Sequence, residues 1–266
     1  MTSPVSPTIP VLVTGASSGI GAAFARAFAQ RGHNVTIVAR RLDRLKEVAS
    51  EKAPAGGGNM TPVAADLETD AGRATVSGLL GKNGPWILVN NAGYGTRGRA
   101  TTLDADRERA EVQLNVTTLH SLTYAVLPSL VAAGAGGIIN VASTAAFQPL
   151  PYMATYGATK AFVLHLTEAL AEEVRGSGVR VMCLCPGPVR TEFGEIAGVE
   201  DYMDRSMPMT AAKCVEIAIK AFDRGSAICI PGRRNAALAM GPRITPRWVT
   251  RRISGAIFLP RGTSKH

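Results

Sequence analysis

The sequence predicts an α/β fold, a doubly wound parallel sheet of about seven strands flanked by helices. Three observations carry this. Short apolar runs bounded by turn residues alternate with longer helical patterns along most of the chain. A glycine-rich turn, Gly15-Ala-Ser-Ser-Gly19-Ile-Gly21, joins the first such run to the first helical stretch. At 266 residues, with 46% hydrophobic and 18% charged content, the chain is long enough and apolar enough to bury a substantial core.

The elements follow in order. The first ten residues are rich in Pro, Ser and Thr and lack the basic start and apolar core of a secretory signal, so they read as a short disordered arm. Strands are expected at 9–14, 34–39, 59–65, 86–90, 137–143, 179–185 and 227–230, each an apolar run ending at turn residues. Helices are expected near 19–31, 41–52, 68–81, 104–133, 153–176 and 210–224. No internal repeat appears beyond this alternation. Right-handed crossovers then give an open, Rossmann-type sheet with ligands at the carboxyl ends of its strands. Residues 112–159 contain no Asp, Glu, Lys or Arg, yet Pro128, the glycines of 134–137, Asn115, His120 and Asn140 interrupt the run. No stretch of about 20 purely apolar residues emerges, so this segment reads as a buried helix, a loop and a central strand.

Past Pro231-Gly232 the pattern gives way to Pro-, Gly- and Arg-rich sequence, with a short helix expected around 247–258. The chain is therefore divided into a main domain, 1–232, and a basic C-terminal extension, 233–266. The extension holds Arg233, Arg234, Arg243, Arg247, Arg251, Arg252, Arg261 and Lys265 and no acid, which is eight of the nine net positive charges. Four cysteines show no metal-ligand spacing, and Cys183-Leu-Cys185 points both thiols to one side of a strand. Reduced, buried cysteines and a cytoplasmic setting are expected. His33, His120 and His165 have no motif around them and read as structural or surface residues.

The glycine turn follows a strand and opens a helix, a context that suits a pyrophosphate at a helix N-terminus. Gly15, Gly19 and Gly21 allow the tight turn and close approach, with Ser17, Ser18 and Ile20 between them. About twenty positions on, the second strand ends at Arg40, followed by Arg41, where an acid would bind a ribose 2′-hydroxyl. Arginine favours a 2′-phosphate instead, and Ser17 or Ser18 adds a hydroxyl, so NADP(H) is expected over NAD(H). The alternative is that Arg40 and Arg41 merely begin a solvated helix. Tyr156 and Lys160, four apart, project from one face of a helix, with Ser143 thirteen residues upstream. A nearby cation favours phenolate, and a Tyr that trades a proton at neutral pH is a general acid/base. Bringing a phenol from about 10 to near 7 takes roughly 4 kcal/mol, which a buried Lys ammonium and a pyridinium ring could supply.

In order along 9–230, the chain carries Thr14-Gly-x-x-x-Gly-x-Gly21, Asp66-Leu67, Asn90-Asn-Ala-Gly93, Asn115, Ser143, Tyr156-x-x-x-Lys160 and Pro186-Gly187. Together these resemble the short-chain dehydrogenase/reductase family. The resemblance implies hydride transfer between a nicotinamide cofactor and a carbonyl or secondary alcohol. It implies that Tyr156 exchanges the proton, that Lys160 lowers its pKa and holds the nicotinamide ribose, and that Ser143 polarises the substrate oxygen. Asn115 would hold a water linking Lys160 to solvent. Asp66 and Leu67 would meet the adenine, and Asn90, Asn91, Ala92 and Gly93 would lie along the adenosine ribose. Pro186, Gly187, Val189 and Thr191 would border the nicotinamide carboxamide. Asp66 as a helix N-cap and Asn90 as a turn residue are compatible alternatives. No metal site is expected. The resemblance also implies a homodimer or homotetramer paired through the helices near 104–133 and 153–176.

Substrate selection would fall to residues 190–210, where Phe193, Ile196, Val199, Tyr202, Met203, Met207 and Met209 suit a flexible apolar lid. Phe147, Leu150, Tyr152 and Met153 would line the other wall. An apolar small-molecule carbonyl or alcohol, lipid-, steroid- or acyl-like, is therefore expected. The extension mixes Arg with Trp248, Ile253, Ile257, Phe258 and Leu259, a pattern suited to peripheral membrane contact, to packing on the body or a partner subunit, or to an anionic carrier. Nucleic acid is not an expected partner, because no recognition motif accompanies the basic charge. A catalytically idle NADPH-binding sensor or scaffold is the competing function.

Overall fold

The computed structural model describes residues 5–51, 55–81 and 84–260. Seven parallel strands form the main sheet: β1 (Val11–Thr14), β2 (Val35–Ala39), β3 (Met60–Ala64), β4 (Ile87–Asn90), β5 (Gly137–Val141), β6 (Arg180–Leu184) and β9 (Ile228–Cys229). Their order is β3-β2-β1-β4-β5-β6-β9, so the winding reverses between β1 and β4. A pair of short parallel strands, β7 (Val189–Arg190) and β8 (Met209–Thr210), lies apart from this sheet.

The central strands are apolar on both faces because both faces are covered. Val11, Val13, Ile87, Val89, Ile139 and Val141 point into one core, which they share with α1 (Gly19–Gln30) and α9 (Ala211–Asp223). Leu12, Leu88 and Ile138 point the other way, against residues of α3 (Asp70–Leu80) and α5 (Leu119–Ala133). This is the period-2 alternation of a strand, with a hydrophobic residue at both phases. The edge strand β3 and its neighbour β2 are flanked by α2 (Leu42–Ser50).

The helix expected over 104–133 is three pieces in line. These are α4 (Ala105–Val112), a π-helical turn over Gln113–Thr118, and α5. The 29-residue span Ala105–Ala133 is long and apolar enough to cross a membrane by composition, and it packs one face on the sheet through Leu114, Leu122, Val126 and Leu130. Pro128 sits inside α5. After β5 come a 3-10 turn over Thr144–Phe147 and α6 (Ala154–Glu173).

Two expectations change. Residues 5–10 are not a free arm, since Ile9 is buried and Val5 packs against the core; residues 1–4 lie outside the described residues. The chain past Gly232 is not irregular, for α10 (Arg233–Ile244) precedes the expected α11 (Arg247–Phe258). Pro242 and Gly241 lie inside α10 and disguise it in the sequence. Arg261 and Lys265 lie outside the described residues. Cys183, Cys185, Cys214 and Cys229 are free and buried, as expected, and no metal-binding cluster occurs among the described residues. His33 is a buried core residue whose Nδ1 lies 2.8 Å from the Ile9 carbonyl oxygen, whereas His120 stacks on Tyr124 and His165 is exposed.

Candidate active site

The winding reversal parts the crossover connections of β1 and β4 at their carboxyl ends and opens a crevice there. Thr14 and Asn91 fasten its two edges together. The Thr14 hydroxyl accepts from the backbone N–H groups of Asn91 and Ala92, both at 3.0 Å. The Asn91 side-chain amide donates back to the carbonyl oxygens of Thr14 and Gly15 at 2.9 and 3.1 Å. Gly15 has φ 65°, and a Cβ on it would lie 2.8 Å from the Ala92 Cα. A Cβ on Gly21 would lie 2.3 Å from the Gly15 carbonyl oxygen. Both glycines are therefore steric necessities of the turn. Deeper in the sheet, Asn90 donates to Asn140 at 2.9 Å and Thr123 at 3.1 Å, and Asn140 donates to Thr167 at 3.0 Å. Asn90 thus ties β4 to β5 and α5 and is not an exposed turn residue.

One continuous cavity of about 770 Å³ runs along the crevice. One end is bordered by Gly15, Ser18, Gly19, Ile20, Asn91, Ala92 and Gly93, the middle by Ser143, Tyr156, Lys160, Pro186, Gly187, Val189 and Thr191. α1 has no acid in its first turn, and its N-cap Ser18 does not cap it. The positive helix end therefore faces the cavity without a carboxylate of its own. These residues fit a dinucleotide: a glycine cradle too tight for any side chain, free amides at a helix start, and a slot leading to the buried Tyr156 and Lys160.

Ser143 closes β5 and caps the 3-10 turn by accepting from the Ala145 N–H at 3.1 Å. Lys160 is buried and donates to the Val141 carbonyl oxygen at 3.0 Å, with its Nζ 5.7 Å from the Tyr156 ring centroid. Burial pushes the Tyr156 phenol up to about 12, against an opposing hydrogen bond with Ser143. Burial likewise lowers Lys160 to about 8. In the protein without cofactor, burial therefore favours the protonated phenol. Asn115 lies in the π-helical turn. Both its amide hydrogens are engaged, by the Tyr94 carbonyl oxygen at 2.8 Å and the Thr159 hydroxyl at 3.1 Å.

Beside the glycine cradle stands a cluster of which the sequence pointed to Arg40, Arg41, Ser17 and Ser18 but not Glu192. Arg41 donates to Ser17 Oγ at 3.2 Å and to a Glu192 carboxylate oxygen at 2.8 Å. Ser18 donates to the same Glu192 oxygen at 3.2 Å. Arg40 instead pairs with Glu68 at 3.2 Å. Asp66 is exposed and accepts from the Glu68 N–H, while Thr69 is the N-cap of α3, so the alternative of Asp66 as helix cap does not hold. Leu67 is buried, and its carbonyl oxygen accepts from Thr118 at 2.6 Å. Ser17, Gly21, Arg40, Arg41, Asp66, Leu67 and Asn115 stand around the cavity without lining it.

The far end of the cavity is apolar and roofed. Its walls include Leu150 and Met153, the lid helices α7 (Phe193–Ala197) and α8 (Glu200–Arg205), and side chains of α10 and α11. Phe193 lies 5.2 Å from Tyr156, ring to ring, and Tyr202 lies 4.8 Å from Phe258. Phe147, Tyr152, Met207 and Met209 do not line it. Arg97, which the sequence did not single out, joins lid to extension. Its buried guanidinium pairs with Asp201 at 2.5 Å and donates to the carbonyl oxygens of Phe258, Leu259 and Gly198. Ser254 also ties α11 to the body, donating to the Pro149 carbonyl oxygen at 2.9 Å.

Beside Lys160 lies a second unheralded group, the fully buried Glu111. One of its oxygens is 3.0 Å from the Thr96 hydroxyl, which also meets Glu108, and the other has no partner among the described residues. A single hydroxyl proton cannot serve two carboxylates, and burial raises Glu111 to about 7.

Residues 10–198 match the family described as short chain dehydrogenase. A short chain dehydrogenase of Pseudocercospora fijiensis is 40% identical over 187 residues, 69% of this chain and 60% of that protein, so the match spans less than two thirds of that relative's length. A short-chain dehydrogenase from Sphingobium yanoikuyae in complex with NADPH superimposes with a TM-score of 0.81 at 35% identity, covering 97% of this chain and 98% of that one. The bulky-bulky ketone specific alcohol dehydrogenase from Comamonas testosteroni superimposes with a TM-score of 0.76 at 31% identity, covering 98% of both chains.

Proposed function

The chain belongs to the short-chain dehydrogenase family, oxidoreductases of CH–OH and C=O groups, and we propose that within it the protein interconverts a bulky apolar ketone and its secondary alcohol with NADP(H). The observation that carries this reading is the continuity of the cavity from the glycine cradle, past Ser143, Tyr156 and Lys160, into an apolar chamber. The likeness to a reductase of bulky ketones supports the same substrate class. Arg41 and Ser18 converge on one anion, the Glu192 carboxylate, and Ser17 accepts from the same arginine, an arrangement that supports recognition of a 2′-phosphate.

When bound, the nicotinamide supplies or accepts the hydride. The chain's own residues handle the oxygen. Ser143 donates a hydrogen bond to the carbonyl oxygen and polarises it. Tyr156 Oη gives its proton to the oxygen as negative charge develops there, and Lys160 stabilises the phenolate left behind. Oxidation runs the same steps in reverse. Asn115 takes part by holding the π-helical turn in place. A water bound to an oxygen of that turn would return protons to Lys160. A wider-than-α turn leaves backbone carbonyls out of register for such a role. Phe193 and the lid exclude bulk water from the reacting oxygen.

The protein is read as cytoplasmic and as a homodimer or homotetramer, the exposed Val112, Tyr124, Val131 and Phe162 of α4–α6 giving the pairing face. NADPH consumption against 3-oxoacyl thioesters, steroids, aliphatic ketones, aromatic aldehydes and sugars tests the reading. Turnover is expected on bulky apolar ketones, and Tyr156→Phe is expected to lower it roughly 10²–10⁴-fold. NADPH binding with no turnover on any carbonyl would favour the idle sensor or scaffold, and tighter binding of NADH would remove the NADP preference.

A further inference from the structure

We propose that the outer face of α10 and α11 is a docking surface for an anionic lipid bilayer, which places the mouth of the cavity at the membrane. Two independent features meet there. The first is charge. Arg233, Arg243, Arg247, Arg251 and Arg252 are exposed away from the cavity and Arg234 is exposed at its rim, no acid occurs in the segment, and none of the six forms an ion pair among the described residues. Elsewhere on the protein arginines commonly find carboxylates, as Arg26, Arg31 and Arg97 do.

The second is apolar exposure that the cavity does not explain. Leu238, Ile253 and Ile257 rim the cavity, and a substrate inside would cover them in part. Met240, Ile244 and Trp248 do not line it, yet they are 50%, 89% and 56% exposed. A substrate leaves these three in water. The Arg252 guanidinium stacks 5.4 Å from the Trp248 ring, so cation and indole present one amphipathic surface. On α11 the inward face is Thr250, Ser254 and Phe258, which are buried against the body, and Trp248 and Arg252 lie on the opposite side of the helix.

Charge complementarity selects the occupant. A second copy of this face would set its five uncompensated arginines against five more. A nucleic acid would neutralise the arginines but leave Ile244 in water, and a soluble protein would need an acidic rim around an apolar patch matched to this one. A bilayer with anionic headgroups satisfies both, since Trp and aliphatic side chains settle at the headgroup–acyl boundary while Arg meets phosphates. Docking stands on the surface alone. Its purpose, collecting an apolar ketone from the lipid phase through the rim of Leu238, Ile253 and Ile257, rests on the function proposed above.

Co-sedimentation of the full chain with phosphatidylcholine vesicles, with and without phosphatidylserine, is the test. The protein is expected to partition on the order of tenfold or more onto the anionic vesicles, and less as salt rises. Arg247→Gln/Arg251→Gln/Arg252→Gln is expected to lose that binding, and Ile244→Ser/Trp248→Ser to weaken it, with thermal melts and turnover of a water-soluble ketone unchanged. Equal partition onto both vesicles, no partition onto either, or binding that survives the triple substitution would overturn the proposal. Binding to duplex DNA or an acidic protein with no partition onto anionic vesicles would overturn it in favour of those partners. Turnover measured without vesicles reports the reductase reading separately, so vesicle binding with no turnover on any ketone would sink that reading and leave the docking surface standing.

Discussion

Tyr156, Lys160 and Ser143 owe their chemistry to where burial leaves their protons. A phenol pushed up to about 12 and an ammonium lowered to about 8 are both destabilised as ions by the same dry pocket. Each therefore gains from a partner that supplies opposite charge, which is the state reached once Tyr156 has given up its proton beside Lys160. At the adenosine end the controlling residue is Glu192. It occupies the hydrogen-bonding capacity of Arg41 and Ser18, the groups suited to a 2′-phosphate, and its own carboxyl is held below the usual range chiefly by Arg41. Glu192→Gln is expected to tighten NADPH several-fold by removing a competing anion, while NADH binding changes little. Fluorescence titration of both cofactors checks this, and equal tightening of the two would show that Glu192 does not face the phosphate.

Elements, and not single residues, close the far end of the cavity. The lid helices α7 and α8 carry little core of their own and rest on α11 through Tyr202 and Phe258. Arg97 clamps the assembly from below with one ion pair and three bonds to carbonyl oxygens. Arg97→Leu is expected to cost about 3 kcal/mol, since it removes one partner from a buried pair and orphans several carbonyls. The KM for a bulky ketone should rise with it while the affinity for NADPH holds, a split that denaturant unfolding and steady-state kinetics together would read. Phe258→Ala should behave alike, costing about 3 kcal/mol through the cavity it leaves under the lid. These elements were unevenly legible. The lid was visible as an apolar run at 190–210, and α11 as an amphipathic run at 247–258. Neither Arg97 nor α10 carried a local signal, because an arginine in a loop and a helix containing Gly241-Pro242 look like ordinary surface sequence.

At the scale of the molecule, the buried Glu111 makes stability depend on pH. Its carboxyl is raised to about 7, so between about 4.5 and 7 the folded protein holds a proton that the unfolded chain has released. Stability from this group is present at low pH and falls as pH rises through that window, by up to about 3 kcal/mol. Glu111→Gln is expected to flatten this slope, leaving the protein more stable than the wild type at pH about 8 and little changed at pH about 4, where the wild-type carboxyl is also neutral. Chemical denaturation across that range checks the sign, and a substitution that destabilises at every pH would show that the carboxylate form is the one the fold requires. The basic extension acts on the same scale, since residues 233–266 carry eight of the nine net positive charges and the arginines of α10 and α11 are exposed.

The sequence by itself determined the order of strands and helices, the glycine cradle and the acid/base pair. Each of these is written in local pattern: alternation at period 2, helical periodicity, glycines at fixed offsets, and a Tyr and Lys one helical turn apart. Only the tertiary structure decided that the extension roofs the cavity, that Glu192 meets Arg41 across about 150 residues of chain, and that Arg97 and Glu111 are buried. It also set the burial that favours the protonated Tyr156 phenol in the protein without cofactor. The physical reason is common to all of these. Burial and long-range pairing are set by which surfaces come together in space, and neither the dielectric around a phenol nor the partner of an arginine is encoded within a few residues of it.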